Sequence, residues 1–357
     1  MKLLSRKDFL RSTAIGFGAL TLSELLAACG VNDIPETPEK STTPPPTRTA
    51  IPTQTPQPAT PTPVEPTQVP PTQPATPTLP APTATPWNSP DLVVVRNGEP
   101  EELVRAALKA MGGMEKFVPK GANVIIKPNV CVHYRSYEYA ATTNPWVVGA
   151  LVKLCFEAGA GKVRVMDHTY QGYMWEGYAK SGIRKEVEAA GGVMEAMPLN
   201  KFIPTEIPLG LDLKTIDLYE DILNAEVLIN VPIAKHHADA KLTLGMKNLM
   251  GVMSHRLIMH TNMAQRLADL NSRIRPTLNV MDAVRMLMDW GPTGGSLGDV
   301  KKIDTVVVSQ DIVALDSYTA TLFDKKPTDL EYVNTATAMG LGRSDLEDLR
   351  IEEIALN

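Results

Sequence analysis

The chain has 357 residues, with 35 Lys and Arg against 40 Asp and Glu and a formal net charge of −5. That balance excludes the basic surplus a nucleic-acid binder needs. Its three cysteines exclude a disulfide scaffold, and no CxxC or CxxxC pair is present for a cluster or structural zinc.

Residues 1–29 read as an export signal. Lys2, Arg6, Lys7 and Arg11 form a basic start, Ala14 to Leu26 a short apolar run, and Leu26-Ala27-Ala28-Cys29 a small-residue cleavage region. The run is too short to span a bilayer. Ser5-Arg6-Lys7-Asp8-Phe9-Leu10 resembles the twin-arginine export motif, with Lys7 where the second arginine normally sits. Leu-Ala-Ala-Cys resembles a lipoprotein cleavage box, which makes Cys29 the lipidated new N-terminus. The expected location is therefore outside the cytoplasm, anchored by lipid to the cell membrane.

Residues 30–90 are dominated by Pro, Thr, Ala and Gln, and nineteen of the thirty prolines fall between Pro35 and Pro90. Proline lacks the amide donor and fixes φ, and almost no large apolar groups are available to bury. Such a segment is expected to be a disordered, polyproline-like stalk. At roughly 3 Å per residue it reaches on the order of 100 Å or more.

Residues 91–357 hold the whole net charge, 29 basic against 34 acidic groups, and are long enough for a single large domain. Ala122 to Asn129 reads as a buried strand. Asn144 is an N-cap with Pro145 at the first helical position, and Val147, Val148, Leu151, Leu154 and Cys155 mark one helix face ending at Gly159. Lys162 to His168 is a second strand, completing a β-α-β unit. Ile183 to Ala190 is helical, Glu226 to Asn230 a strand, Thr261 to Arg273 a helix, and Thr277 to Met281 and Lys302 to Ser309 strands. Asp311 to Phe323 closes the pattern as a helix. This alternation predicts an α/β fold, a mostly parallel sheet with helices on both faces.

Ligands in such sheets bind beyond the carboxyl ends of the strands. Those ends carry Lys127-Pro128-Asn129, Asp167-His168-Thr169, Asn230 to His236, Asp282 and Asp311. With Thr143 and Pro145, Glu157-Ala158-Gly159-Ala160, Lys247-Asn248 with Gly251, Asp282-Ala283, Gly291 to Gly295 and Asp311 to Asp316, they form an ordered set. In that set the chain resembles the domain of unknown function 362 family over essentially Asp91 to Asn357. The resemblance implies an α/β fold but no settled activity. Family members often carry ferredoxin-type cluster modules, which implies redox work; this chain lacks the cysteines for one.

Lys127, Lys235 and Lys247, if brought together, would repel one another and lose solvent, lowering at least one pKa toward that of a base or imine-forming amine. Equally, they would hold an anionic ligand. Adjacent His236 and His237 face opposite ways from a strand, and His236 is expected to face the site. The leading reading is an enzyme with Lys235 and His236 as acid/base groups, Lys127, Asp167 and His168 beside them, and an anion held by Lys127 and Lys247. Asn129, Asn230, Asn248, Gly294, Gly295 and Asp311 complete the expected binding set. A metal set of Asp167, His168, His236 and His260 is an alternative without regular ligand spacing. Rival classes are a stalked receptor that captures an anion without turnover and a metal- or cluster-linked redox protein. The cofactor is unknown at this stage. An anionic small molecule and, through Cys29, the membrane are the expected partners.

Overall fold

The computed structural model describes residues 89–357, which belong to one compact unit. The signal, nearly all of the stalk and Cys29 lie outside the described residues. The first strand, β1 (Leu92–Arg96), shows how this sheet is built. Leu92 and Val94 join one apolar core while Val93 and Val95 join another. A strand with period-two side chains and both sets buried must lie between two covering layers.

On one face pack α1 (Pro100–Ala110), α2 (Pro145–Glu157), α3 (Met174–Lys180) and α4 (Ile183–Ala189). They bring Leu103, Val104, Leu151, Tyr178 and Val187 onto Val124 and Ile126 of β2 (Asn123–Pro128) and Val163 and Val165 of β3 (Lys162–Val165). The other face is covered by α7 (Met263–Arg273), α8 (Ile312–Thr321) and α9 (Glu331–Ala338), through Leu267, Leu315 and Val333. Between these layers in sequence lie β4 (Val193–Met194), the antiparallel hairpin β5 (Phe202–Glu206) and β6 (Thr215–Tyr219), and α5 (Glu220–Leu223).

The main sheet runs β12-β1-β11-β10-β7-β2-β3-β4, where β7 is Val227–Val231, β10 Leu278–Leu287, β11 Val300–Ser309 and β12 Ile351–Ala355. Six of its strand pairings are parallel and three antiparallel. The mostly parallel α/β architecture expected from the alternating pattern is therefore present. Asn144 caps α2 by accepting the Trp146 amide at 3.0 Å, with Pro145 opening the helix. Cys131 and Cys155 are both free and buried.

The sheet forks at one proline. Pro232 separates β7 from β8 (Ile233–His237), and β10 pairs first with β7 and then with β8. Proline has no amide to extend the β7 ladder, so the chain shifts there and continues as a new strand. β8 carries β9 (Lys241–Thr243) antiparallel beside it, and the four-residue helix α6 (Gly245–Asn248) follows. The segment expected to be a strand end followed by a loop is thus a second strand, and it delivers Lys235.

Asp311 serves the fold. Its carboxylate accepts the amides of Val313, Ala314 and Arg343 at 2.9, 3.0 and 2.8 Å, so it is the N-cap of α8 and not a ligand contact. Asp311→Ala is expected to lower unfolding free energy by about 1–2 kcal/mol, the range for a lost cap. Asp311→Asn should recover part of that loss, as read from the midpoints of denaturant titrations.

Candidate functional site

Three strands deliver their last residues to one place. β2 carries Lys127 next to its last residue, β3 leads into Asp167, and β7 carries Asn230; β8 adds Lys235 and α6 adds Lys247 and Asn248. Together with the segment 254–260, all of these except Asn230 wall a cavity of about 470 Å³ at the carboxyl edge of the sheet. A larger, shallower hollow of about 760 Å³ lies over β5 and α5, and no buried ionisable group lines it.

The floor is a continuous polar network. Lys127, fully buried, donates to Asp167 Oδ1 at 2.6 Å, Pro128 O at 2.9 Å and Asn248 Oδ1 at 3.1 Å, so all three ammonium protons have acceptors. The second Asp167 oxygen accepts the Val130 amide at 2.6 Å. Asn248 Oδ1 also accepts from Asn129 Nδ2 at 2.9 Å, and Asn129 Oδ1 accepts from Lys235 Nζ at 2.9 Å. Lys235 donates its next bond to Ala141 O at 2.8 Å. Beneath this layer Asn230 accepts from Asn248 Nδ2 at 2.8 Å and bonds Asn279 at 3.1 Å. Asn230 therefore supports the site without lining the cavity.

Lys247 stands apart from this network. It is 93 % buried, yet its Nζ has only the Met250 thioether, at 3.4 Å, as a hydrogen-bond partner. Burial, followed by the neighbouring Lys235 ammonium, pulls its pKa down to about 8. Burial also lowers Lys235 and Lys127, the latter held back up by Asp167. Four cations, Lys127, Lys235, Lys247 and Arg256, thus line the cavity with only two carboxylates, Asp167 and Asp239.

The histidines divide differently from expectation. Lys235 and His237 are two apart on β8 and both line the cavity, whereas His236 points the other way and accepts the Gly291 amide at 3.1 Å. Strand parity decides this, and it selects His237 over His236. His237 Nδ1 accepts the Asp239 and Ala240 amides, and burial beside Lys247 and Lys235 drives its pKa to about 3. His168 lines the cavity with Nδ1 2.5 Å from Arg256 Nη2, and burial plus that guanidinium lower it to about 4. Near neutral pH both rings are uncharged and cannot act as cationic acids.

The metal set does not assemble. Asp167 is occupied by Lys127 and Val130, His168 by Arg256, and His236 is turned away. Among the described residues no three His, Cys, Asp or Glu side chains gather as a metal site. Gly294 and Gly295 do not line the cavity; their carbonyls accept from Arg135 at 3.3 and 2.8 Å, and Pro292 of the same loop forms part of the wall. Cavity residues that no sequence motif singles out are Arg256, Cys131 and Thr243, whereas Thr169 belongs to the strand end Asp167-His168-Thr169. None sits in a periodic pattern, so only the folded wall brings them together.

The fold and this edge define an α/β protein with a cation-rich cavity at the carboxyl ends of parallel strands. The family described as a domain of unknown function, DUF362, matches residues 124–321, more than half of the chain and the stretch that contains every one of these site residues. The chain belongs to that family. It is 26 % identical over 258 residues to a thylakoid-associated protein of Synechocystis sp., covering 68 % of this chain and 76 % of that protein. Among solved structures it is remotely similar to a lactate racemase apoprotein from Thermoanaerobacterium thermosaccharolyticum, at 14 % identity and a TM-score of 0.37 over 60 % of this chain and 53 % of that one. A protein from Thermotoga maritima is similar at 10 % identity and a TM-score of 0.40, over 64 % and 60 % of the two chains. The chain thus spans between half and two thirds of the length of those two structures.

Lys247 makes a measurable mark on stability. Its folded pKa of about 8 lies below the ordinary 10.5, so between those values the unfolded chain binds more protons than the folded one. Stability from this group is therefore lowest below pH 8 and rises as pH climbs toward 10.5, by about 3 kcal/mol at most. Lys247→Met should remove that increment. The test is the difference in denaturant midpoint between the two proteins at pH 7 and pH 10.

Proposed function

We propose that the cavity binds a small organic anion and that Lys247, with Lys235 beside it, moves a proton to or from that molecule. The observation carrying this reading is the buried Lys247 ammonium with no oxygen acceptor. An unsatisfied buried charge is costly, and an anionic ligand entering the cavity would offset that cost. A pKa of about 8 also leaves both protonation states populated near neutral pH, where a general acid or base works best. Sequence pattern alone puts forward Lys235 and His236 as the acid/base pair; the geometry favours Lys247 in place of His236. Lys127, bonded to three oxygens, is a positioning residue for Asp167 and Asn248.

A stalked receptor that captures the same anion without turnover is the second reading, favoured by the hydrogen-bonded Lys127–Asn248–Asn129–Lys235 network and by uncharged His168 and His237. In either case the domain is proposed to act outside the cytoplasm, carried on the Pro/Thr-rich stalk from a lipid on Cys29. No helix among the described residues is long and apolar enough to cross a membrane.

Titration calorimetry of the full chain with acetate and inorganic phosphate tests the reading. Binding should weaken as pH rises through about 8, where free Lys247 loses its proton. Lys247→Met should cost about tenfold to a hundredfold in affinity, the scale of a charge-assisted bond. Binding that ignores both changes would remove Lys247 from the site. Solvent deuterium appearing in a bound carboxylic acid, dependent on Lys247, would favour the enzyme over the receptor.

A further inference from the structure

Seven buried side-chain polar atoms among the described residues lack a hydrogen-bond partner, and three of them belong to residues lining this one cavity: Thr169 Oγ1, Thr243 Oγ1 and Arg256 Nε. Buried polar atoms in native folds are normally satisfied, so a concentration at one wall points to a missing ligand. With Lys247 Nζ they fall into two groups. Thr243 and Lys247 are four residues apart on β9 and α6, with Thr243 paired to Lys235 across the β8–β9 ladder. Thr169 and Arg256 are joined through His168, whose ring and carbonyl both receive Arg256 Nη2.

Lys247 and Arg256 are both donors lining the same cavity, and they repel one another. Asn248, next to Lys247, bonds Lys127 at 3.1 Å, and Lys127 bonds Asp167, two residues before Thr169, at 2.6 Å. The hydrogen-bonded chain Asn248–Lys127–Asp167 thus links the segments that carry the two groups. The charge balance agrees. Lys127 cancels Asp167, leaving Lys235, Lys247 and Arg256 against Asp239, a surplus of two positive charges on the cavity wall.

Resting on the anion-binding reading above, we infer that the natural ligand is a two-headed acid of the dicarboxylate class. One head is met by Lys247 and Thr243, the other by Arg256 and Thr169. A cation beside a hydroxyl donor can satisfy both oxygens of a carboxylate, and each pair here has both. The ligand's length between heads must match the separation of the two donor groups, which makes chain length a selective property.

Calorimetry of the full chain below pH 8 with acetate and the straight-chain dicarboxylates from malonate to adipate tests this. One dicarboxylate should bind on the order of a hundredfold more tightly than acetate, with weaker binding on either side of that length. Lys247→Met and Arg256→Met should each reduce it to about the acetate level, while acetate itself should respond strongly to one of the two variants only. Lys247→Arg and Arg256→Lys, which keep charge in the wall, should preserve the length preference and guard against a folding artefact. Equal affinity for acetate and every dicarboxylate, or acetate lost equally in both Met variants, would show one shared anion head and overturn the two-headed ligand alone. No binding of any probe by the parent chain would overturn the anion site together with it.

Discussion

The buried ion pair between Lys127 and Asp167 is the constraint on which the cavity depends. An ion pair removed from water is stable only when its remaining donors and acceptors are also satisfied. Here Pro128 O and Asn248 take the rest of the ammonium, and the Val130 amide takes the second carboxylate oxygen. Tyr178 fixes the backbone at the same point, its hydroxyl donating to the Asp167 carbonyl at 2.5 Å. Gly251 covers the pair so closely that a Cβ there would lie 2.2 Å from Asp167 Oδ1 and 2.6 Å from Lys127 Nζ. Glycine is required at 251 for that approach, whatever its conformational freedom. The ends of β2 and β3, α6 and the turn after it are thus locked into one arrangement by a single contact.

Because that pair saturates itself, the chemistry passes to the charges left over. Lys235 rests on two neutral oxygens, and Lys247 rests on sulfur alone. Low effective dielectric strengthens their mutual repulsion, and each also raises the cost of protonating His237. His237 and His168 are therefore forced into neutral roles, the first accepting amides and the second receiving a guanidinium. A cavity with three lysines and an arginine, and with His168 and His237 uncharged, is suited to an incoming negative charge and unsuited to a further cation.

How much of this could be read from the residues depends on locality. Strand β2, helix α2 with Asn144 and Pro145, and strand β3 are written in short-range pattern: apolar runs, a cap, an i, i+4, i+7 face and a glycine stop. Lys127, Asn129, Asp167 and Lys235 are legible as strand-end polar groups and Lys247-Asn248 as a separate motif, and the fold gathers them. β8 was not legible as a strand, since Pro232 imitates a terminus and the parity of His236 and His237 follows only from the β8–β10 ladder. β1 and β12 were missed as well; their partners β11 and β1 are distant in sequence, so pairing and not local pattern defines them. Arg256 could not be found at all from spacing, because its partner His168 lies 88 positions away.

Carboxylates that looked available for chemistry instead set the positions of the groups that perform it. Asp282 accepts the Asn144 and Val284 amides at 2.7 and 3.0 Å, tying the start of α2 to β10. Asp316 on α8 accepts the Gly245 and Met246 amides at 2.6 and 3.0 Å, holding the first turn of α6 immediately before Lys247. Burial raises both to about 7, so each sits near its own titration point and depends on those amides to remain charged. A carboxylate with two backbone donors and no cation fixes geometry without adding compensating charge to the cavity. Had either acid reached the cavity as a counter-ion, the surplus that leaves Lys247 unsatisfied would be smaller. Their confinement to the backbone is therefore part of how this fold keeps the cavity wall cationic.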